Sequence, residues 1–180
     1  IKMNRNLFLS TSLLAISTLS FNVQAALDNT LSVGYAQSSI KLNDDKIDDN
    51  PKGVNFKYNH EFDNEWGVIG SLTYTKLTYN YYSRWGKIGS SEIDYVSLTA
   101  GPSYRFNDYF SAYGLIGLGH VSQEDKYYYV NDTYSKTSMA YGLGLQINPI
   151  PNVAIDASYE YSKFDNAKFG TWVLGVGYRF

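Results

Sequence analysis

Cysteine is absent from all 180 residues, so neither a disulfide framework nor a thiolate-bound metal can staple this chain. Basic residues are not in surplus: fifteen Lys and Arg stand against seventeen Asp and Glu, which removes the electrostatic footprint of a nucleic-acid partner. Long apolar runs are missing as well. The N-terminal stretch Leu7–Leu19 is diluted by Ser and Thr and falls short of the roughly 20 residues a transmembrane helix needs. What is abundant is aromatic: 17% of the residues, eighteen of them Tyr, at a mean hydropathy of only −0.30. A helical membrane protein would be far more apolar. A membrane β-barrel, whose alternating faces average out, fits both figures, and the length suits one domain.

Met3–Ala25 reads as a secretory signal peptide: Arg5 in the n-region, Leu7–Leu19 as the h-region, and Val23-Gln24-Ala25 as a small-residue cleavage site before Ala26. Ile1 and Lys2 precede the initiator-like Met and are set aside with it. The expected organisation is therefore a leader over residues 1–25 and a barrel over 26–180. Removing the leader leaves thirteen basic residues against seventeen acidic ones. Export without cysteine is compatible with a barrel, which closes by hydrogen bonding alone.

The clearest strand is Gly170–Phe180, GTWVLGVGYRF. Trp172, Leu174, Val176, Tyr178 and Phe180 alternate with small or charged residues, with Val173 the exception. Strand side chains point alternately to opposite faces, and about 9–11 tilted residues cross the hydrocarbon. Seven further segments alternate or run apolar: Leu31–Ala36, Val54–Phe62, Trp66–Tyr74, Val96–Phe106, Phe110–Val121, Met139–Ile147 and Val153–Tyr161. Phe110–Val121 is apolar on both faces, and its facing stays open. Eight antiparallel strands in an up-and-down order make an all-β barrel.

Connections alternate in length. Asp63–Glu65, Asn107–Tyr109 and Asn148–Asn152 are short turns, whereas Ser39–Gly53, Thr78–Glu92, Ser122–Thr137 and Lys163–Phe169 are expected as longer polar loops. Short periplasmic turns and long external loops put both termini in the periplasm. The alternation points Lys57, Glu61, Arg105, Asp156, Glu160 and Arg179 inward. Slipping the register by one residue would turn them to lipid, at about 2–4 kcal/mol for each Lys or Arg near the midplane. Three bases and three acids inside predict a filled, charge-paired interior and no pore. Aromatic girdles are expected at both interfaces: Phe62, Trp66, Phe106, Phe110 and Phe180 beside the turns, and Tyr74, Tyr79, Tyr161, Phe169 and Trp172 beside the loops.

Five blocks, Ser97–Asn107 (SLTAGPSYRFN), Tyr113–Gly119 (YGLIGLG), Gly142–Asn148 (GLGLQIN), Val153–Tyr159 (VAIDASY) and Gly170–Phe180, carry a family likeness. The sequence resembles the OmpX/Ail/PagC/Lom group of small outer-membrane proteins across nearly all of the mature chain, with the third and last blocks nearest to its OmpX branch. The resemblance implies a barrel whose middle strands protrude above the membrane as a sheet. It also implies that the pattern Trp172, Leu174, Val176, Tyr178, Phe180 is read by the barrel-assembly machinery. In Ail-like members, the resemblance further implies, external loops engage host matrix proteins and complement regulators.

Exposed aromatics beside cations dominate binding surfaces. Tyr79, Tyr81, Tyr82, Arg84, Trp85 and Lys87 in the second loop, with Tyr127, Tyr128, Tyr129 and Tyr134 in the third, are therefore the candidate ligand contacts. Lys76, at the upper rim, is a candidate for lipopolysaccharide phosphate. The acidic run Asp44–Asn50 could hold a divalent cation, but it lacks the spaced oxygens, central Gly and terminal Glu of a calcium loop, so a solvated acidic loop is expected, with no metal or cofactor. His120, Ser122 and Glu124 share a strand face, but that spacing does not bring a carboxylate to the imidazole, and His60 sits far from them. The expected function is non-enzymatic: adhesion to host cells or matrix, with serum or complement resistance. The alternatives are an envelope-homeostasis protein and, remotely, a lipid A-modifying hydrolase. Expected partners are outer-membrane lipid, lipopolysaccharide, the assembly machinery and host proteins, with the chain itself a monomer.

Overall fold

The structure, a computed structural model, describes residues 29–42, 45–46, 49–83, 86–127, 130–165 and 167–180. The leader expected over residues 1–25 lies outside them. Among the described residues there are nine strands: β1 (Asn29–Leu42), β2 (Asp45–Lys46), β3 (Lys52–Glu61), β4 (Trp66–Ser83), β5 (Gly86–Arg105), β6 (Phe110–Tyr127), β7 (Val130–Ile150), β8 (Val153–Phe164) and β9 (Ala167–Arg179). The two-residue β2 folds back on the end of β1. The other eight pair antiparallel, each with its neighbour in the chain, and β1 pairs with β9 to close the barrel. One end carries the short turns, called here the turn end; at the opposite, projecting end β4–β7 run longest.

Closure follows from alternation. Along β8 every second residue is buried, and the intervening Ile155, Tyr159 and Tyr161 face out. Leu31, Val33, Phe56, Leu72, Leu98, Leu143 and Leu174 join them in an outer apolar surface that only lipid can cover. Phe62, Trp66, Phe106 and Phe110 are exposed at the turn end, and Tyr74, Tyr161 and Trp172 are exposed towards the other.

The inside follows the opposite rule. Lys57 (3% exposed) donates from Nζ to Asp156 Oδ1 at 2.6 Å, and Tyr113 donates its hydroxyl to the other Asp156 oxygen at 2.5 Å. Arg105 reaches Glu61 through Nε (3.0 Å) and Nη2 (2.5 Å), while Arg179 Nη2 takes the same carboxylate at 2.6 Å. Glu160 accepts from the Tyr95 hydroxyl at 2.6 Å. Ser38 bonds both Thr75 and Thr171, and Asn55 bridges Ser71 and Thr73. Glycine makes room for an inward ring: a Cβ on Gly144 would stand 2.2 Å from Tyr113 Cζ.

Several boundaries differ from the sequence reading. The polar stretches Thr78–Glu92 and Ser122–Thr137 are largely strand, because β4 runs to Ser83, β5 starts at Gly86, β6 ends at Tyr127 and β7 starts at Val130. Above the lipid a strand needs paired backbone but no greasy face, so the alternation stops while the ladder continues. The first loop shrinks for the same reason, with β1 reaching Leu42 and β3 starting at Lys52. Lys163–Phe169 contracts to a turn at Asp165, which sits at φ 43°, a left-handed value Asp tolerates better than most residues. The last short turn contracts as well, since β7 continues through Ile150. Phe169 is not a girdle residue. It is 3% exposed and inside the barrel, because β9 begins early enough to extend the inward parity of Thr171 and Val173 to position 169. Strand β6 turns Ser111, Tyr113 and Leu115 inward and Ile116, Leu118 and His120 outward, which the two apolar faces of its sequence could not distinguish.

Candidate functional site: the projecting sheet

The projecting sheet takes its shape from four long strands whose pairing persists beyond the lipid-facing rows. β4 and β5 pair from Trp66↔Tyr104 to Ser83↔Gly86, and β6 and β7 from Phe110↔Ile147 to Tyr127↔Val130. Near the tip, Gly89 on β5 lies opposite Tyr81 on β4 and opposite Tyr127 on β6. Tyr82 pairs with Lys87 just beyond, across a bulge between Tyr81 and Tyr82. The register therefore brings candidates from two stretches of sequence into adjacent rows of one sheet. Arg84, Trp85, Tyr128 and Tyr129 lie outside the described residues.

Lower on the outer face, Lys76 donates to Glu92 Oε2 at 2.9 Å and lies 3.9 Å from Asp94 Oδ1. The Tyr74 hydroxyl donates to that same Asp94 oxygen at 2.7 Å. Lys76 stands above the Tyr74 row, and the hydrogen bond to Glu92 together with the charge of Asp94 holds its ammonium above the ordinary lysine value. This candidate is thus already shared by two carboxylates. Tyr79 is half-buried on the same strand. Tyr134 is 57% exposed and follows the inward parity of β7, with the Lys136 ammonium 5.7 Å from its ring centre and ion-paired to Asp165.

His120 is exposed and its Nδ1 lies 2.9 Å from Thr137 Oγ1 on β7, so its partner is across the sheet and not Ser122. In register, Ser122 faces Asp94 and Ser135, and Glu124 faces Glu92 and Thr133. Residues two apart on a strand are about 7 Å apart, too far for a nucleophile–base bond. Among the described residues no His, Asp and Glu groups assemble into a metal site. Of the six inward charges, Lys57 pairs with Asp156, Arg105 and Arg179 share Glu61, and Glu160 accepts from the Tyr95 hydroxyl, so the expected pairing of three bases with three acids is not one to one. On β9, Trp172, Leu174, Val176 and Tyr178 are exposed and Phe180 is half-buried, its N–H and C=O both bonded to Asn29.

Residues 8–180 match the family described as outer membrane protein beta-barrel domain. The chain belongs to that family. Its relatives include the attachment invasion locus protein of Yersinia enterocolitica, 49% identical over 99% of this chain and all of that one. Outer membrane protein X of Escherichia coli is 41% identical, covering 94% of this chain and 96% of its own. Among solved structures, Ail of Yersinia pestis in complex with the heparin analogue sucrose octasulfate superposes with a TM-score of 0.80 at 49% identity, covering 85% of this chain and 98% of that one. The OmpX/Ail likeness seen in five blocks thus extends over the whole chain, and identity to the attachment-locus relative exceeds that to OmpX. Family membership places this outer-membrane barrel in the outer membrane. These relatives are named as attachment and outer-membrane proteins, not as enzymes.

The sequence reading did not find the ring cluster of Tyr95, Phe164 and Phe169 at the mouth of the barrel. The available signal was parity: Ile40, Phe164 and Phe169 fall on inward positions once the strands are extended through stretches that read as loops.

Proposed function

We propose that this barrel is an adhesin whose projecting sheet binds host-cell or matrix proteins and confers resistance to complement, and that it carries no enzymatic activity. The observation that carries the reading is the register that sets Tyr81 and Tyr127 on either side of Gly89, bringing the described parts of the candidate stretches Tyr79–Lys87 and Tyr127–Tyr134 onto neighbouring strands of one sheet. Support comes from the attachment-locus relatives, one of which was solved with a sulfated glycan analogue. In this reading the turn end faces the periplasm, the leader over residues 1–25 is removed, and the chain works as a monomer. The barrel conducts nothing, because charge pairs and hydroxyls fill its interior. The outward row on β9 serves the assembly machinery, and lipid covers the rest of the outer face. A lipopolysaccharide phosphate at Lys76 would compete with Glu92 and Asp94, so its contribution is small.

The test moves the two stretches onto a barrel that does not bind. Cells displaying the chimera should adhere to host cells and capture matrix proteins, heparin or complement regulators from a panel. Adhesion no better than that of the parent barrel overturns the reading and leaves envelope maintenance as the role. Lipid A analysed by mass spectrometry should be unchanged by expression; lost acyl chains would establish a hydrolase instead.

A further inference from the structure

The barrel mouth holds a cavity of about 310 Å³ that the adhesion reading does not use. Its wall is apolar: Ile40, Ile93, Val121, Phe164, Ala167 and Phe169. Its floor is built from rings. Phe169 stacks on Tyr95 at 5.3 Å and 18°, and Phe164 stands edge-on to both, at 85° and 81°. Beneath the rings the Tyr95 hydroxyl is bonded to Glu160 and Ser162, so the cavity ends there and does not continue into the barrel. Polar groups stand only at the lip: Gln123, Tyr134 and the ion-paired Lys136 and Asp165.

We propose that this cavity is a binding site for an uncharged aromatic group about the size of an indole. Three observations select that class. The volume is at the lower end of small-molecule sites, about 300–1,000 Å³, enough for one ring system and too small for a long acyl chain. Two rings line the cavity, Phe164 and Phe169, edge-on to each other at 81°, so a ring that stacks on one meets the other edge-on, the two arrangements in which aromatic groups gain most from each other. The cations and anions at the lip neutralise one another, so nothing there selects a charged ligand. The direction of entry is fixed as well. The apolar wall residues take the inward parity of their strands, so membrane lipid cannot reach the cavity sideways, and the ligand arrives from the aqueous side of the projecting end. The site lies off the Tyr81–Gly89–Tyr127 rows but shares Tyr134, at its lip, with the stretch Tyr127–Tyr134, so its test reads ring binding and not adhesion.

The experiment uses the full barrel in lipid nanodiscs, with labelled Ile and Val methyl groups followed by NMR during titration with indole. Saturable shifts are expected at Ile40, Ile93 and Val121, with none at Ile155 or Val176 on the lipid face. Ala167→Phe, which fills the cavity, should abolish them while the barrel keeps its heat-dependent gel migration. Should that variant fail to fold, Val121→Phe tests the same space from another strand. Capped Gly-Trp-Gly separates the two sources of such a group. Equal shifts with the peptide mean that a protein side chain can deliver it, and shifts with indole alone mean a free small molecule. Shifts that do not saturate, that are equal on the lipid face, or that survive filling of the cavity overturn the site.

Discussion

The interior of this barrel has two regions with opposite chemistry. From the turn end to the level of Glu160 charge pairs, amides and hydroxyls predominate, set around one small apolar cluster of Ile69, Tyr113 and Leu115; above Tyr95 it becomes rings and branched aliphatics. Both are enclosed by the same eight strands, so the difference does not come from the fold. It comes from what each region must be closed against. In the crossing section the lipid side has claimed the apolar parity, and the inner parity is free to pair charges. At the mouth the inside meets water directly, and an apolar cluster there seals the polar network beneath it.

The largest effect should come from breaking the lower region. Asp156→Ala removes the acceptor of both Lys57 and Tyr113 and strands an ammonium that is 3% exposed. Loss of one partner from a buried pair costs about 3–5 kcal/mol, whereas the double substitution Lys57→Met with Asp156→Leu should recover most of it. Urea unfolding in lipid vesicles measures both, and a single variant as stable as the parent would mean the pair holds nothing together. The upper region should respond less. Phe169→Ala removes one ring of the cluster and should cost about 3 kcal/mol, the low end for Phe→Ala, because the space left adjoins a cavity already open to water. If it costs more than Asp156→Ala, the contrast between the regions is reversed.

The smallest effect lies outside both. Asp63 Oδ1 accepts the N–H groups of Glu65 (2.8 Å) and Trp66 (2.7 Å), and those bonds hold its carboxyl below the ordinary 3.8. A carboxylate lowered by folding stabilises the turn above 3.8, and that contribution fades as pH falls from 3.8 through the lowered value. The amide shifts of Glu65 and Trp66 should titrate with a midpoint below 3.8, and Asp63→Asn should keep the bonds while flattening the titration. A midpoint at or above 3.8 would remove the turn's dependence on charge.

The barrel is legible in the sequence because lipid imposes a strict rule on one face of each strand, and Val54, Phe56 and Tyr58 obey it plainly. Parity identifies a face but not a neighbour. Nothing local indicates that Lys57 meets Asp156, 99 residues away, or that Arg179 shares Glu61 with Arg105. Where the lipid rule ends, legibility ends too. Thr78–Glu92 and Ser122–Thr137 look like loops because their aromatics fall at both parities among polar residues, yet their backbones stay paired. Phe169 was misplaced for the same reason, since a residue assigned to a loop has no parity. Tyr113 and Leu115 were hidden by the reverse problem, a strand apolar on both faces.

Closure of the barrel also bears on how it comes into being. β1 and β9 are the strands farthest apart in sequence, and they pair from Thr30↔Arg179 to Leu42↔Ala167. Until that seam forms, the growing sheet has two open edges whose amides and carbonyls find no partner in hydrocarbon. Each successive hairpin moves those edges without removing them. The final strand therefore acts as a commitment step: until it pairs with the first, two edges stay open, and half a barrel is no resting place in the membrane.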